Sequence, residues 1–437
     1  MPGAPTTHRV MRRCMALHLQ SMDIGLRKIY SPETRDHNPQ WIKNDQRFSH
    51  TWSVGKSGVG KSTALVRWAV DDITRGDGVA FFDPHGDAAD EVLRYIPPKR
   101  RDDVVYINPA EFCIGLNPLA SIPEDQRPLA ATTFTESIKA AWGYGDMATP
   151  VMDQMLFNGA RVMMDMPGGT LVGLKFLLTS ERYRARVMKH VTDPAIHEFW
   201  EVEFGQHMTD RERRERTLST LNKLGALISD PVIRRMIGQP RNAVDMSEIL
   251  AAGKILIVAL PQGKLGIEKA ALIGSLLMSQ LHIAALAREG ERRPFHIFAD
   301  ECHHFGAGSL AEMLSGIRKF GVSLTLANQY LDQLPTKLRA ALIGTAGTIV
   351  SFRIGALDVP FIEPEFHLKY GDYSLCELRP YEVYVRTGLH THKLTMPPVQ
   401  TRAYPSAPRK IKNRCRAQYG TDPAVIDAKL ERFITNV

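Results

Sequence analysis

The stretch Ser53 to Trp68, SVGKSGVGKSTALVRW, contains the triplet Gly-Lys-Ser twice, at Gly55-Lys56-Ser57 and at Gly60-Lys61-Ser62. A phosphate loop is written Gly, four residues, Gly-Lys-Ser/Thr. Counting back from Gly60 lands the first glycine on Gly55, whereas counting back from the earlier triplet lands on His50, so only Lys61 is in frame. Thr51 to Val54 can end a strand, and the residues from Thr63 onward read as an amphipathic helix, which is the strand, glycine loop and helix context the motif requires. Backbone N–H groups at a helix N-terminus then form an anion cradle. The cradle spans Gly55, Lys56, Ser57, Gly58, Val59, Gly60, Lys61, Ser62 and Thr63. Lys61 would reach the β- and γ-phosphates, the Ser62 hydroxyl would ligate Mg²⁺, and the Lys56 side chain is read as a solvated loop cation. ATP and Mg²⁺ are the expected cofactors.

Outward from this loop, short apolar runs read as buried parallel strands: Gly78 to Pro84, Val104 to Pro109, Lys254 to Leu260, Phe295 to Asp300, Val322 to Gln329 and Thr348 to Ile354. Continuous apolar strands alternating with helical stretches argue an α/β sheet covered on both faces. Between Pro128 and Leu250 the pattern turns to Leu, Met, Arg and Glu at helical spacing, with a capping box at Thr209-Asp-Arg-Glu212. The expected organisation is an N-terminal segment 1–46, a motor domain in two parts (47–127 and 251–399), an all-α insertion 128–250, and a basic C-terminal tail 400–437 with a short helix opened by Thr421-Asp422-Pro423.

The chain has 437 residues, 44% of them hydrophobic, enough for a large core, and a net charge of +8 that favours polyanionic partners without naming one. Five scattered cysteines (Cys14, Cys113, Cys302, Cys376, Cys415) show no Cys-x-x-Cys spacing and indicate neither a zinc site nor a disulfide framework. Ala270 to Ala287 approaches the length of a membrane span but carries Ser275, Ser279, Gln280 and His282, and is read as a buried helix behind the sheet. Arg12, Arg13 and the MALHL that follows are too short and interrupted for a signal segment. A cytoplasmic protein, peripheral at most at the inner face of the membrane, is expected.

FHIFADECHHF supplies the second half of a hydrolytic site, an apolar strand followed by Asp300 and Glu301. Asp300 is placed to assist Mg²⁺, and Glu301 to orient or deprotonate an attacking water. His303 and His304 follow as a pair without further ligands, more in keeping with supporting residues than with a metal site. Gln329 ends the next strand, where an amide can sense the γ-phosphate. Arg318 precedes that strand; it is either a surface arginine or a charge supplied to the nucleotide of a neighbouring subunit. The basic runs Lys99 to Arg101 and Arg211 to Arg216 read as solvated faces.

In order, GKSGVGKST, FFDPHGD (Phe81 to Asp87), NPLA (Asn117 to Ala120), ADECHHF, IRKFGVSLTLANQYLDQL (Ile317 to Leu334) and GTIVSFRIGALD (Gly347 to Asp358) resemble the HerA/FtsK-type pumping ATPases. Within that group they are most similar to the TraG/TraD-like type IV coupling proteins of conjugation, over roughly Arg47 to Val399. The resemblance implies a RecA-like P-loop NTPase with a mostly parallel central sheet and a large all-α insertion, assembled as a homo-hexamer around DNA. It assigns Lys61 and Ser62 to the phosphate loop, Asp300 and Glu301 to the second carboxylate motif, Gln329 to the sensor and Arg318 to an arginine acting across the subunit interface. Asp83 and Asp87 match the family's DPHG motif, in a supporting role or as a structural turn. Many coupling proteins begin with transmembrane helices, and this chain reaches its loop by residue 62 with none: either a partner provides the anchor, the start has been shortened, or the protein is a soluble relative, and any membrane contact is expected through partners. The implied function is an ATP-driven, sequence-independent DNA translocase of conjugative or mobile-element transfer, with relaxase or secretion-channel proteins docking on the insertion. A HerA-like repair or packaging motor and a nucleotide-gated docking platform are the alternatives.

Overall fold

The computed structural model describes residues 21–28, 37–144, 147–368 and 374–437; Cys14, Arg12 and Arg13 lie outside them. Eleven strands form one sheet: β1 (Ser21–Lys28), β2 (His37–Lys43), β3 (Thr51–Val54), β4 (Gly78–Asp83), β5 (Val104–Ile107), β6 (Ile255–Ala259), β7 (Phe295–Ala299), β8 (Val322–Asn328), β9 (Thr348–Ser351), β10 (Glu382–Thr387) and β11 (His390–Thr395). Their order is β2-β1-β11-β10-β9-β3-β8-β7-β4-β6-β5. The run from β9 to β5 is parallel, pairing for example Val54 with Asn328, Ala299 with Leu326 and Asp83 with Ala259. These are the strands the apolar runs mark, and every residue in them is buried because helices cover both faces.

The four antiparallel edge strands were not expected. β10 and β11 form a hairpin closed by Gly388 and Leu389, with Gly388 at φ 58° as the first central residue of a two-residue turn requires. β11 then pairs antiparallel with β1, and β1 with β2, which draws residues of the N-terminal segment into the sheet. The β10 stretch EVYVRT alternates buried and half-buried residues, a weaker signal than the solid apolar runs of the core.

Between β5 and β6 the described residues contain helices and no strand. The capping box forms as expected, Thr209 Oγ1 accepting from the Glu212 amide and Glu212 Oε2 accepting from the Thr209 amide at 2.7 Å. These helices do not carry a separate core. Phe134 and Ile138 of the helix Arg127–Ala141 share one buried apolar cluster with the sheet and with the helix Ile267–Leu286. Ser137 and Ser279 hydroxyls meet across that contact at 2.5 Å. Ile267–Leu286 is long and apolar enough to cross a membrane, but 83% of its most apolar window is buried inside the protein.

The C-terminal residues correct the expectation of a tail with one short helix. Two helices form, Ala407–Tyr419 and Pro423–Thr435, the second capped by Asp422 and led by proline as its sequence suggests. The first contains the basic run, yet Ala407, Ile411 and Cys415, spaced four apart on one face, are buried against the sheet cover. Lys412 bonds to Asp90 at 2.7 Å and Glu111 at 2.9 Å, and Arg235 forks onto Asp427 to fasten the last helix to the insertion. Charge density alone concealed the stripe. Likewise Arg100 is not a solvated cation, for its guanidinium donates to the Asp77 and Gly253 carbonyls at 3.3 and 2.8 Å. The fully buried Asp72 carboxylate is held by Arg47, with one contact at 2.6 Å, and by Arg75. Two guanidiniums beside Asp72, Asp77 and His296 make that cluster an ion-pair network and leave no charge demand for a metal.

Candidate nucleotide site

A parallel sheet directs the C-terminal ends of its strands to one edge, and β3, β8 and β7 are consecutive neighbours. The phosphate loop leaves β3, Gln329 leaves β8, and Asp300 with Glu301 leaves β7, so the order of strands places Gln329 between loop and carboxylates.

The loop is pinned from its far side by residues distant in sequence. The amide of Lys56 donates to the Arg353 carbonyl at 2.8 Å and that of Tyr381 to the Val59 carbonyl at 2.9 Å. The two motif glycines are required by space as well as conformation. Gly55 has φ 157°, and a Cβ there would lie 2.5 Å from Phe352 Cβ; Gly60 has φ 110°, and its Cβ would meet the Tyr381 ring at 2.6 Å. Among the described residues, the amides of Ser57, Gly58 and Gly60 have no hydrogen-bond acceptor, while those of Gly55 and Lys56 are engaged. The cradle open to an anion therefore begins at Ser57. The helix Lys61–Arg75 starts directly behind it with its N-terminus toward the loop. Gly58 and the side chains of Lys56 and Ser57 are exposed, and Thr63 is half-buried.

Lys61 is buried, and its ammonium donates to the carbonyls of Gly55 at 2.6 Å and Lys56 at 3.0 Å. An ammonium has three donors, so one N–H remains for a phosphate oxygen. Burial lowers its pKa, and the charges of Glu301 and Asp300 work against that shift. Ser62 Oγ donates to Asp300 Oδ2 at 2.5 Å. Burial pushes the Asp300 carboxyl above the usual carboxylate range, a shift that the Ser62 bond opposes and the Glu301 charge reinforces. A hydroxyl and a buried carboxyl in contact, beside an open amide cradle, are a hard oxygen donor pair that suits Mg²⁺ held jointly with phosphate.

Glu301 sits at φ 47°, in the left-handed region that a non-glycine residue seldom occupies. Its amide donates to Asp300 Oδ1 at 3.0 Å, its Oε1 accepts from Gln329 Nε2 at 2.8 Å, and its Oε2 is buried with no partner. Next along the strand, Asn328 accepts from Trp52 Nε1 at 2.7 Å and donates to the Tyr330 carbonyl at 2.8 Å, which fixes the turn carrying Gln329. Asp83, buried, accepts from the amides of His85 and Ala89 at 2.8 and 2.9 Å and so holds the turn into the helix Asp87–Tyr95. That is the structural role; Asp87 is exposed at the helix start.

Lys61, Ser62, Asp300, Glu301 and Gln329 thus converge, and Arg318 does not join them. It is exposed just before β8 and acts electrostatically on His50, which precedes β3, so it belongs to the opposite edge of the sheet. A seven-residue strand separates the two edges by roughly 20 Å. Within one chain Arg318 is remote from the site. Asn328, Arg353, Phe352 and Tyr381 escaped the sequence reading because their partners lie hundreds of residues away or follow no motif.

The sheet order, the loop after β3 and the carboxylates two strands over define a RecA-like P-loop NTPase fold. Among solved structures it is similar to the bacterial conjugative coupling protein TrwBΔN70 in a trigonal form with sulphate, at 16% identity and TM-score 0.61, over 92% of this chain and 97% of that one. The plasmid coupling protein TrwB in complex with ADP and Mg²⁺ gives 16% and 0.60 over the same shares. VirB4 of Thermoanaerobacter pseudethanolicus gives 15% and 0.59, over 86% of this chain and 96% of that one. The fold is therefore that of the conjugative coupling proteins, as the ordered motifs led us to expect. No protein-family model matches the chain, and no curated protein does.

Proposed function

We propose that this chain is an ATPase that drives DNA translocation in conjugative or mobile-element transfer. The observation that carries the reading is the single constellation at the strand ends, with Ser62 on Asp300 at 2.5 Å and Glu301 on Gln329 at 2.8 Å beside the buried Lys61. TrwB is a coupling protein solved with ADP and Mg²⁺, which supports the same cofactors here. The loop amides from Ser57 onward and the Lys61 ammonium bind the β- and γ-phosphates, and Ser62 with Asp300 would hold Mg²⁺, which would supply positive charge beside the transferring phosphoryl group. Glu301 takes the proton of the attacking water through the carboxylate, and Gln329 fixes the orientation of that carboxylate.

A hydrolytic site with an exposed arginine at the opposite sheet edge fits a ring in which Arg318 reaches the nucleotide of the next subunit, in a homo-hexamer around DNA. The grip on DNA is through phosphates and independent of sequence, so it weakens steeply with salt. The helices between β5 and β6 are the expected docking surface for a relaxase or a secretion-channel protein, and membrane contact comes through such partners. ATP turnover measured without DNA and with single- and double-stranded DNA tests the reading. No stimulation by either form at low salt would remove DNA as the cargo, and no turnover at all would remove the enzyme.

A further inference from the structure

The Glu301 carboxylate has one oxygen accounted for and one not. Oε2 is buried without a partner, and so is Nδ1 of His303; the two atoms are 3.8 Å apart. Two orphaned polar atoms this close, one an acceptor and the other able to donate, need about 1 Å of movement to form a hydrogen bond. His303 sits on the turn directly after Glu301, its ring packed against that of His304 with centroids 4.0 Å apart and the planes tilted by 42°. Both rings line a cleft together with residues of the helix Arg127–Ala141 and Ser275. The left-handed backbone at Glu301 is what turns its side chain back between Gln329 on one side and His303 on the other.

We infer that His303 is a positioning residue for hydrolysis, donating from Nδ1 to Glu301 Oε2 so that the carboxylate is clamped on both oxygens while it accepts the proton of water. This rests on the ATPase reading above. A neutral imidazole has one ring N–H, and the geometry requires the tautomer with that hydrogen on Nδ1. The second donor fixes the plane of the carboxylate, and with it the direction of the two lone pairs that remain for the water; a single bond to Gln329 leaves that plane free to rotate.

The test uses the full chain with saturating DNA, comparing His303→Leu and His303→Asn with wild type in kcat, KM for ATP, and affinity for a fluorescent ATP analogue. His303→Leu is expected to lower kcat about tenfold or more with nucleotide affinity within about twofold, the loss of one hydrogen bond to a charged group. His303→Asn, whose amide nitrogen overlies Nδ1, should recover most of the rate, and His303→Gln should not. In a Glu301→Gln background His303→Leu should cost nothing further, because both act through one group. Wild-type kcat in His303→Leu, an equal loss in the Glu301→Gln background, or equal rates for the Asn and Gln variants would overturn the role. The ring tautomer, read by nitrogen NMR and assigned with His303→Asn, needs no turnover; hydrogen on Nε2 overturns the inference even where the ATPase stands. A wild-type chain without turnover defeats the ATPase reading alone, since the tautomer still answers for His303.

Discussion

Glu301→Gln separates binding from hydrolysis more cleanly than any other substitution in this site. The amide is isosteric with the carboxylate, so its oxygen can still accept from Gln329 Nε2 at 2.8 Å, and its NH₂ can donate to His303 Nδ1 once that ring carries its hydrogen on Nε2 instead. The left-handed backbone at residue 301 is unchanged. Folding should therefore be affected by no more than about 0.5 kcal/mol, as for a change that leaves every partner satisfied. The chemistry is another matter, because an amide cannot take the proton of water. General-base catalysis contributes about 10²- to 10⁴-fold, or roughly 3 to 6 kcal/mol at about 1.4 kcal/mol per factor of ten. The clamped geometry argues for the upper half of that range, since a base held by hydrogen bonds loses little to misorientation. Nucleotide binding should be as tight or tighter, because one negative charge leaves the neighbourhood of the triphosphate. Asp300, raised by burial and further by the Glu301 charge, should also ionise more readily in the variant. Phosphate release under DNA saturation gives the rate, and a fluorescent ATP analogue gives the affinity. A variant that turns over within tenfold of wild type while folded would remove Glu301 as the base.

Lys61→Ala should bind ATP about 10- to 100-fold more weakly and hydrolyse none measurably, since it deletes a buried charged donor to phosphate; titration with the same analogue checks it. Arg318→Ala should bind ATP normally and hydrolyse it about 10³-fold more slowly, and mixing it with Glu301→Gln should restore activity that fades on dilution; wild-type turnover in the single variant returns Arg318 to the surface. His282 is buried with Nδ1 unpartnered, and burial lowers its pKa from 6.5 to about 4, so the unfolded chain takes up that proton first and the stability present above pH 6.5 is lost as pH falls toward 4. The loss reaches about 2 kcal/mol at pH 5, and urea melts of His282→Leu between pH 7.5 and 5 should show a correspondingly flatter acid slope. Arg47→Met should destabilise the fold by about 3 to 5 kcal/mol by leaving the buried Asp72 carboxylate with Arg75 alone; Asp72, held down to about 2 chiefly against its own burial by the Arg47 charge, otherwise contributes stability above pH 4 that is lost as pH falls through 2. Thermal melts at pH 7 decide that case.

The sequence by itself determined the features written in chain-adjacent residues. The frame of the phosphate loop follows from counting glycines, six of the seven parallel strands from apolar runs and β3 from its place before the loop, and the helix starts at Thr209 and Asp422 from their caps, because each depends on backbone groups a few residues apart. Only the tertiary structure decided what strand order brings together. Gln329 and Glu301 are 28 residues apart and meet because β8 and β7 are neighbours. Gly60 is indispensable because of Tyr381, more than three hundred residues later, and no local pattern announces that contact. The edge hairpin and the docked basic helix were hidden for the complementary reason. Each buries one narrow stripe among polar or charged residues, and which face such a segment buries is set by the surface it meets.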